Sequence, residues 1–577
     1  VLAELPRTRN GKVDVAALPA PEPSARHDTT APRTEAERAL VDVIGAVLGV
    51  SPGVHDNFFE IGGDSILAIG VVTRAREHGI EINVRQLFQN PTVAQLALVA
   101  AAPEQQPATA ATSPAPQAEP APQAEPAPQA EPAPLSPIQR WFFDAELPEP
   151  WHFNMAVQLE LSVLVRAELL EQAFHAVLAH HDALRLRFTR RDGGWRQQCA
   201  PPESDWRLER IDLSALAPSR RQAELDTRGE ELQSSLRLAE GPLLRAALIE
   251  SGPDTAQRLL VAAHHLVVDG VSWRILLADL FTAYRQLSQQ APVALPPKTD
   301  SYLRWARRVR EFPSSAQARA EIDHWAGLPY HLAKRLPRDG EAPNLESSAR
   351  IVQAELDPEV TAVLLRDVPR AYHADIQAVI LTAVSQALGR WTRAAHVQLD
   401  VERHGREDLT PELDLTRTVG WFSDYHPAVL PTPARASAAE QLAAVAKTLD
   451  ATPHRGAGYV PLRFGAEPGS DLPEDASAAL KALHDAPASE VTVNYLGQLD
   501  LVTPDAPATV LMDTPGQIRA GSGARPYLIE VTAGVLDGRL WMVWQHTDGI
   551  HEQATIERLA TDAAATLRTL ASEARAS

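Results

Sequence analysis

The sequence predicts a multi-domain fold: a small all-α bundle of three or four helices, a proline-rich tether, then a large mixed α/β region of two lobes. Three observations carry this reading. A chain of 577 residues exceeds a single core, which rarely grows beyond about 300 residues. No large apolar residue lies between Val99 and Leu135, where PAPQAE occurs three times in succession from Pro114 to Glu131. Apolar spacing is helical before this gap, and alternates between strand and helix periods after it.

Composition narrows the function classes. Fifty-four Lys and Arg against 74 Asp and Glu leave a formal charge of −20, which repels nucleic acid and anionic membrane, so neither is an expected partner. Cys199 is the only cysteine. That excludes an internal disulfide or thiolate cluster and fits a reducing, cytoplasmic setting. No apolar run reaches the ~18 residues of a membrane span. The opening VLAELPRTRN lacks an initiator Met and a signal-peptide core, so the chain reads as a piece of something longer.

In chain order, residues 1–20 form a remnant, set off by a Pro-rich break from Pro19 to Glu35. The bundle is expected over residues 33–101. Thr34-Glu35-Ala36-Glu37 precedes Leu40, Ile44, Val47 and Leu48, a helix ending at Gly49. A loop with Phe58 and Phe59 leads to IGGDS, after which Ile66, Ile69, Gly70 and Thr73 share a helix face up to Gly79, placing Ser65 at a helix start. Asn90-Pro91 opens a last helix with Pro in its first turn. Residues 102–134 are a linker: eleven of the 47 prolines lie between Pro103 and Pro137, and about 30 such residues in polyproline II reach up to roughly 90 Å.

The remaining residues suit two lobes, 135–345 and 346–577. Leu259 to Ala263 reads as a buried strand, and Trp273, Leu276, Leu277, Leu280, Phe281 and Tyr284 as one helix face, with HHLVVDG between them. The second lobe repeats the theme with a helix around Ile376 to Leu388, strands HVQLDVE and VTVNYL, and a hairpin turning at Asp537-Gly538. His264 and His265 are neighbours on a strand and point to opposite faces, which argues against a paired metal ligand; a satisfied buried histidine and a catalytic one both stay open. In HVQLDVE, Val397, Leu399 and Val401 face a core while Gln398, Asp400 and Glu402 face the other way.

Two sets of strings resemble non-ribosomal peptide synthetases. DNFFEIGGDSILAIG resembles their carrier domains, in which this serine receives 4′-phosphopantetheine, a carry-over that lands on Ser65; a helix N-terminus suits the anionic phosphodiester. As a bland alternative, GGDS is a glycine turn with an N-capping serine. LPRTRNGKVD resembles the end of an adenylation domain, making Lys12 a positional marker. HHLVVDG resembles the HHxxxDG signature of the condensation and epimerization superfamily, whose fold is a V-shaped pair of chloramphenicol-acetyltransferase-like lobes. The resemblance puts His265 in the channel between lobes, with His264 and Asp269 as structural support. PIQRWFF at Pro137, DGVSWRIL at Asp269, ERHGRE at Glu402, RTVGWFSDYHP at Arg417, PHRGAGYVPLRF at Pro453 and VNYLGQLD at Val493 follow the order seen in epimerization domains. Asp64 before the serine resembles carriers that serve such domains. Two departures stand out: Arg403 and Val460 occupy positions where the family has glycine.

The resemblance implies inversion of Cα in an aminoacyl or peptidyl thioester held on Ser65. Such chemistry needs a base near Cα, a partner that returns a proton to the opposite face, and a donor at the thioester oxygen. Glu402 is assigned as one acid/base, its pKa raised in a dry channel. His265 is the second acid/base or the electrostatic partner of the enolate. Asn494 is a candidate donor to the oxyanion or pantetheine arm, or a turn residue ending a strand; Tyr495 is a supporting core aromatic. Implied partners are an upstream adenylation domain, a phosphopantetheinyl transferase, and a downstream condensation domain accepting the D-configured donor. Amide formation by a condensation domain and an inactive carrier-docking scaffold are the alternatives.

Overall fold

In a computed structural model the described residues are 30–100, 133–191, 194–202, 204–406, 409–465, 474–498 and 506–576. Lys12 and the PAPQAE repeats lie outside them. The first unit packs α1 (Glu35–Leu48), α2 (Ser65–Glu77), α3 (Val84–Gln89) and α4 (Val93–Val99) around Leu40, Ile44, Phe58, Ala68, Val72, Leu87 and Leu96. Thr34 caps α1 through a reciprocal box with Glu37, and left-handed Gly49 ends it, as the spacing predicts. Thr92, not Pro91, governs the start of α4: its side chain accepts from the Gln95 amide, so the proline precedes the cap instead of entering the first turn.

The loop into α2 explains its paired glycines. Gly62 has φ +104°, and a Cβ on Gly63 would stand 2.4 Å from the Phe58 ring, so a side chain at either position would strain the backbone or displace the core phenylalanine. Asp64, not Ser65, is the N-cap of α2, accepting from the Ile66 and Leu67 amides at 2.9 and 2.7 Å. This corrects the bland reading of GGDS, since the serine is freed from capping.

Up to residue 345 the strands are β1 (Asn154–Leu161), β2 (Leu186–Arg191), β3 (Gly194–Cys199), β4 (Glu209–Asp212), β5 (Leu244–Glu250) and β6 (Arg258–His264). Beyond it come β7 (Ala349–Glu355), β8 (His396–Arg403), β9 (Asp424–Pro431), β10 (Val491–Gln498), β11 (Ala508–Leu511), β12 (Ile529–Leu536) and β13 (Arg539–Thr547). A five-stranded sheet has the order β11-β1-β6-β5-β4, a six-stranded sheet the order β7-β13-β12-β10-β8-β9, and β2 and β3 form a separate two-stranded sheet. Thus β11 leaves the second half of the chain to pair antiparallel with β1. Leu415, Val419, Trp421, Phe422, Tyr459 and Leu462 likewise bury in the first core. In the second, the helix Ile376–Thr392 is buried on nearly every side, so it is apolar around its circumference. Asp537 and Gly538, with φ of 50° and 72°, make the primed turn expected between β12 and β13. Among the described residues no helix is long and apolar enough to cross a membrane.

Candidate active site

Ser65 is the first residue of α2 and half-buried where the bundle meets the large domain. A Cβ on Gly497 of β10 would lie 3.2 Å from both Asp64 Oδ2 and Ile66 Cδ1, so this strand packs against the residues on either side of the serine. Arg76 of α2 pairs with Asp414 at 2.7 Å and donates to Thr416 Oγ1 at 3.1 Å. Burial raises the Asp64 pKa, against the pull of Leu67 and Ile66 amides and of Arg274 and His404. Those two basic groups beside a helix N-terminus fit a phosphodiester on Ser65. Arg274 is itself held by the Gln498 carbonyl.

On the first lobe, β6 ends at His264 and the chain turns at once into a 3-10 segment, His265–Val267. That bend separates the two imidazoles. His264 contacts the Pro150 carbonyl through Nε2 at 2.7 Å and accepts from the Leu266 amide at Nδ1, with its pKa driven down to about 3 by burial. His265 instead packs its ring 4.4 Å from Trp421 and 5.8 Å from Phe153. Burial lowers its pKa to about 4, and Arg519 adds to the effect, so the ring is neutral near pH 7.

Asp269 caps the helix Gly270–Ser288 through the Ser272 amide, accepts from the Phe422 amide, and pairs with Arg406 at 3.0 Å, both side chains being 2% exposed. Arg406 also donates to the carbonyls of Leu415 and Thr418. Gly405 precedes it because a Cβ there would meet the Phe422 carbonyl at 1.8 Å. Asp279 makes a second tie, accepting from Arg417 at 2.6 Å and bonding His181 at 2.9 Å. Breaking a buried pair leaves an uncompensated charge, so Asp269→Ala is expected to destabilise the large domain by about 3–5 kcal/mol; urea denaturation followed by tryptophan fluorescence checks it.

On the second lobe Glu402 stands near the end of β8. Asn494 Nδ2 donates to its Oε2 at 2.7 Å and Thr492 Oγ1 to its Oε1 at 3.3 Å. The parallel register of β8 with β10, Thr492 opposite Asp400 and Val493 opposite Val401, brings these groups together. Burial, then the Glu530 carboxylate, push Glu402 up to about 7, with Arg519 opposing. Asn494 lies inside β10, which corrects its reading as a turn residue, and it orients the Glu402 carboxylate. The Tyr495 hydroxyl is buried without a hydrogen-bond partner among the described residues, and burial raises its pKa. Behind Glu402, Asp400 accepts from Ser489 at 2.6 Å and Tyr527 at 2.8 Å.

Arg519 escaped the sequence reading. It pairs with Glu346 at 3.0 Å and Glu530 at 3.4 Å, and its guanidinium sits 4.8 Å over the Phe153 ring. It acts electrostatically on both His265 and Glu402. Its setting, QIRAGSGARPY, has no periodicity or motif to single it out.

Arg403 does not disturb this geometry. It continues β8 in extended backbone, opposite Asp424 of β9, and is absent from the left-handed residues. The position therefore accepts a side chain. Val460 is likewise accommodated, 2% exposed in the first core.

Comparison with known families matches residues 38–99 to the phosphopantetheine attachment site and residues 129–576 to the condensation domain. Chondramide synthase of Chondromyces crocatus is 41% identical over 99% of this chain and 14% of its own length. A linear gramicidin synthase polypeptide of Brevibacillus parabrevis is 39% identical over 97% of this chain and 10% of its own. The chain thus spans a small part of these relatives. Among solved structures, the epimerization domain from the third module of tyrocidine synthetase B superposes with a TM-score of 0.70 at 31% identity, covering 77% of this chain and 97% of that one. The X-domain from teicoplanin biosynthesis shares the fold, with a TM-score of 0.61 at 18% identity over 78% of this chain and 98% of its own.

Proposed function

This chain belongs to the condensation-domain family of non-ribosomal peptide synthetases and carries a phosphopantetheine attachment domain ahead of that domain, and we propose that its large domain inverts Cα of the aminoacyl or peptidyl group held on Ser65. One arrangement carries the reading: the Glu402 carboxylate, held by Asn494 and Thr492, on one lobe and the His265 ring, packed on Trp421, on the other, with burial favouring the uncharged form of each and Arg519 acting on both. Inversion needs two acid/base groups of this kind, one for each face of the α-carbon. The likeness to a tyrocidine synthetase epimerization domain supports the same reading.

The phosphopantetheine, when bound, supplies a flexible arm and a thioester that acidifies the α-hydrogen. Everything else falls to this chain. Burial disfavours charge on both groups, so Glu402 tends to hold its proton while His265 stays neutral. One member accepts the α-hydrogen as a proton, the other delivers its own to the opposite face, and the total proton count is unchanged. Asn494 keeps the Glu402 carboxyl in one orientation, and Trp421 backs the His265 ring.

We further read the tether as the link that lets the carrier collect its amino acid from an adenylation domain and pass a D-configured donor to a condensation domain, after a transferase has modified Ser65. The test is to load Ser65 in D2O and follow deuterium at Cα together with product chirality. Deuterium uptake with D-product is expected. Absence of both, with amide formed when a second loaded carrier is added, would replace inversion by condensation.

A further inference from the structure

Arg403 joins the proposed site to the carrier. Its Nη1 donates to the carbonyls of His454 and Arg455 at 3.0 and 2.7 Å, while Nε lies 3.6 Å from Asp424. The two residues it grips are both left-handed, with φ of 43° and 50°, and Gly456 follows at 95°. Side chains avoid this conformation, so such a turn persists only where its surroundings hold it. His454 is fastened from the other side by Glu321 at 2.5 Å and Gln317 at 2.8 Å. What the turn presents is Arg455, whose guanidinium lies 4.2 Å from the ring centroid of Phe88 in the carrier. Phe88 is stacked on Phe59 of the same domain at 4.7 Å.

We propose that Arg403 is a positioning residue for carrier docking: it holds the 453–456 turn in the form that sets Arg455 over Phe88. The arginine that replaces the family glycine is thereby assigned to recognition of the carrier surface, with no part in proton transfer. Turnover as a readout rests on the inversion reading, so docking is measured separately.

The full chain is labelled with one spin probe on the exposed face of α4 and one on the helix Ala438–Asp450, and the distance distribution is recorded for the native protein and for Arg403→Gly. The variant is expected to lose the docked distance in part and to slow single-turnover inversion of the group on Ser65 by about 3- to 10-fold, the range of one cation–π contact. Inversion of a soluble aminoacyl N-acetylcysteamine thioester by the same variant is expected to stay within about twofold of native. Phe88→Leu should reproduce both effects, and adding Arg403→Gly to it should cause little further loss. An unchanged docked distance in Arg403→Gly overturns the proposal even if no inversion is ever detected. Equal losses on carrier-bound and soluble thioester also overturn it, because Arg403 would then be acting on neighbouring Glu402.

Discussion

Glu402→Gln is expected to lower inversion by about 10²–10⁴-fold, the range for loss of a positioned acid/base group. Gln keeps the size of the side chain and an oxygen for the Asn494 amide, so binding of the carried group should change little; the loss belongs in kcat. The pH profile gives the same residue a second test. Inversion requires one proton on the pair, which places the active form between the two titrations. Above about 7 Glu402 loses its proton and no acid remains to complete the exchange; below about 4 His265 is protonated and no base remains. With a soluble aminoacyl thioester, kcat/KM is therefore expected to fall as pH rises through about 7. A rate that rises through this pH and stays high would show that Glu402 acts only as a base and that solvent returns the proton. Arg519→Gln should move the alkaline limb upward, because Arg519 opposes the rise of Glu402 more than Thr492 does.

How far the sequence led depended on whether a feature is local. Thr34, Glu37 and Gly49 lie within one helix of each other, and their pattern marks both of its ends. The alternation Val397, Leu399, Val401 placed Glu402 on the correct face of β8, since a strand's side-chain period is fixed. At Asp64-Ser65, however, both side chains are good caps, and the sequence does not say that Asp64 takes the Ile66 and Leu67 amides. The return of β11 to the first sheet was not legible either, because four residues, ATVL, say nothing about which edge will accept them. Arg519 was invisible for the same reason: it meets Glu346 and Glu530 from 173 and 11 residues away, and its charge reaches His265 and Glu402 only once the two lobes are folded together. Arg403 stands where the family has glycine. A glycine in a family pattern suggests a left-handed backbone, yet here β8 simply continues, and the left-handed residues are the ones that Arg403 holds.

Removal of the imidazole should separate exchange from inversion. On the proposed mechanism, Glu402 in His265→Ala still faces the α-carbon from one side, so it can take and return a proton there while the opposite face has no partner. Inversion is expected to fall by about 10²–10⁴-fold, while deuterium from D2O still enters one enantiomer with its configuration retained. Glu402→Gln should give the mirror result: His265, neutral and able to accept a proton near neutral pH, exchanges the other enantiomer and leaves the first untouched. Loading Ser65 with L- and with D-aminoacyl groups in each variant, then reading deuterium by mass spectrometry after release, therefore identifies which residue removes the proton from the L form. If His265→Ala abolishes exchange in both enantiomers, the imidazole is not the second acid/base. Its neutral N–H would then be stabilising charge on the thioester oxygen, a role in which a depressed pKa is equally useful, because a neutral imidazole donates that hydrogen bond without bringing a full positive charge into the buried site.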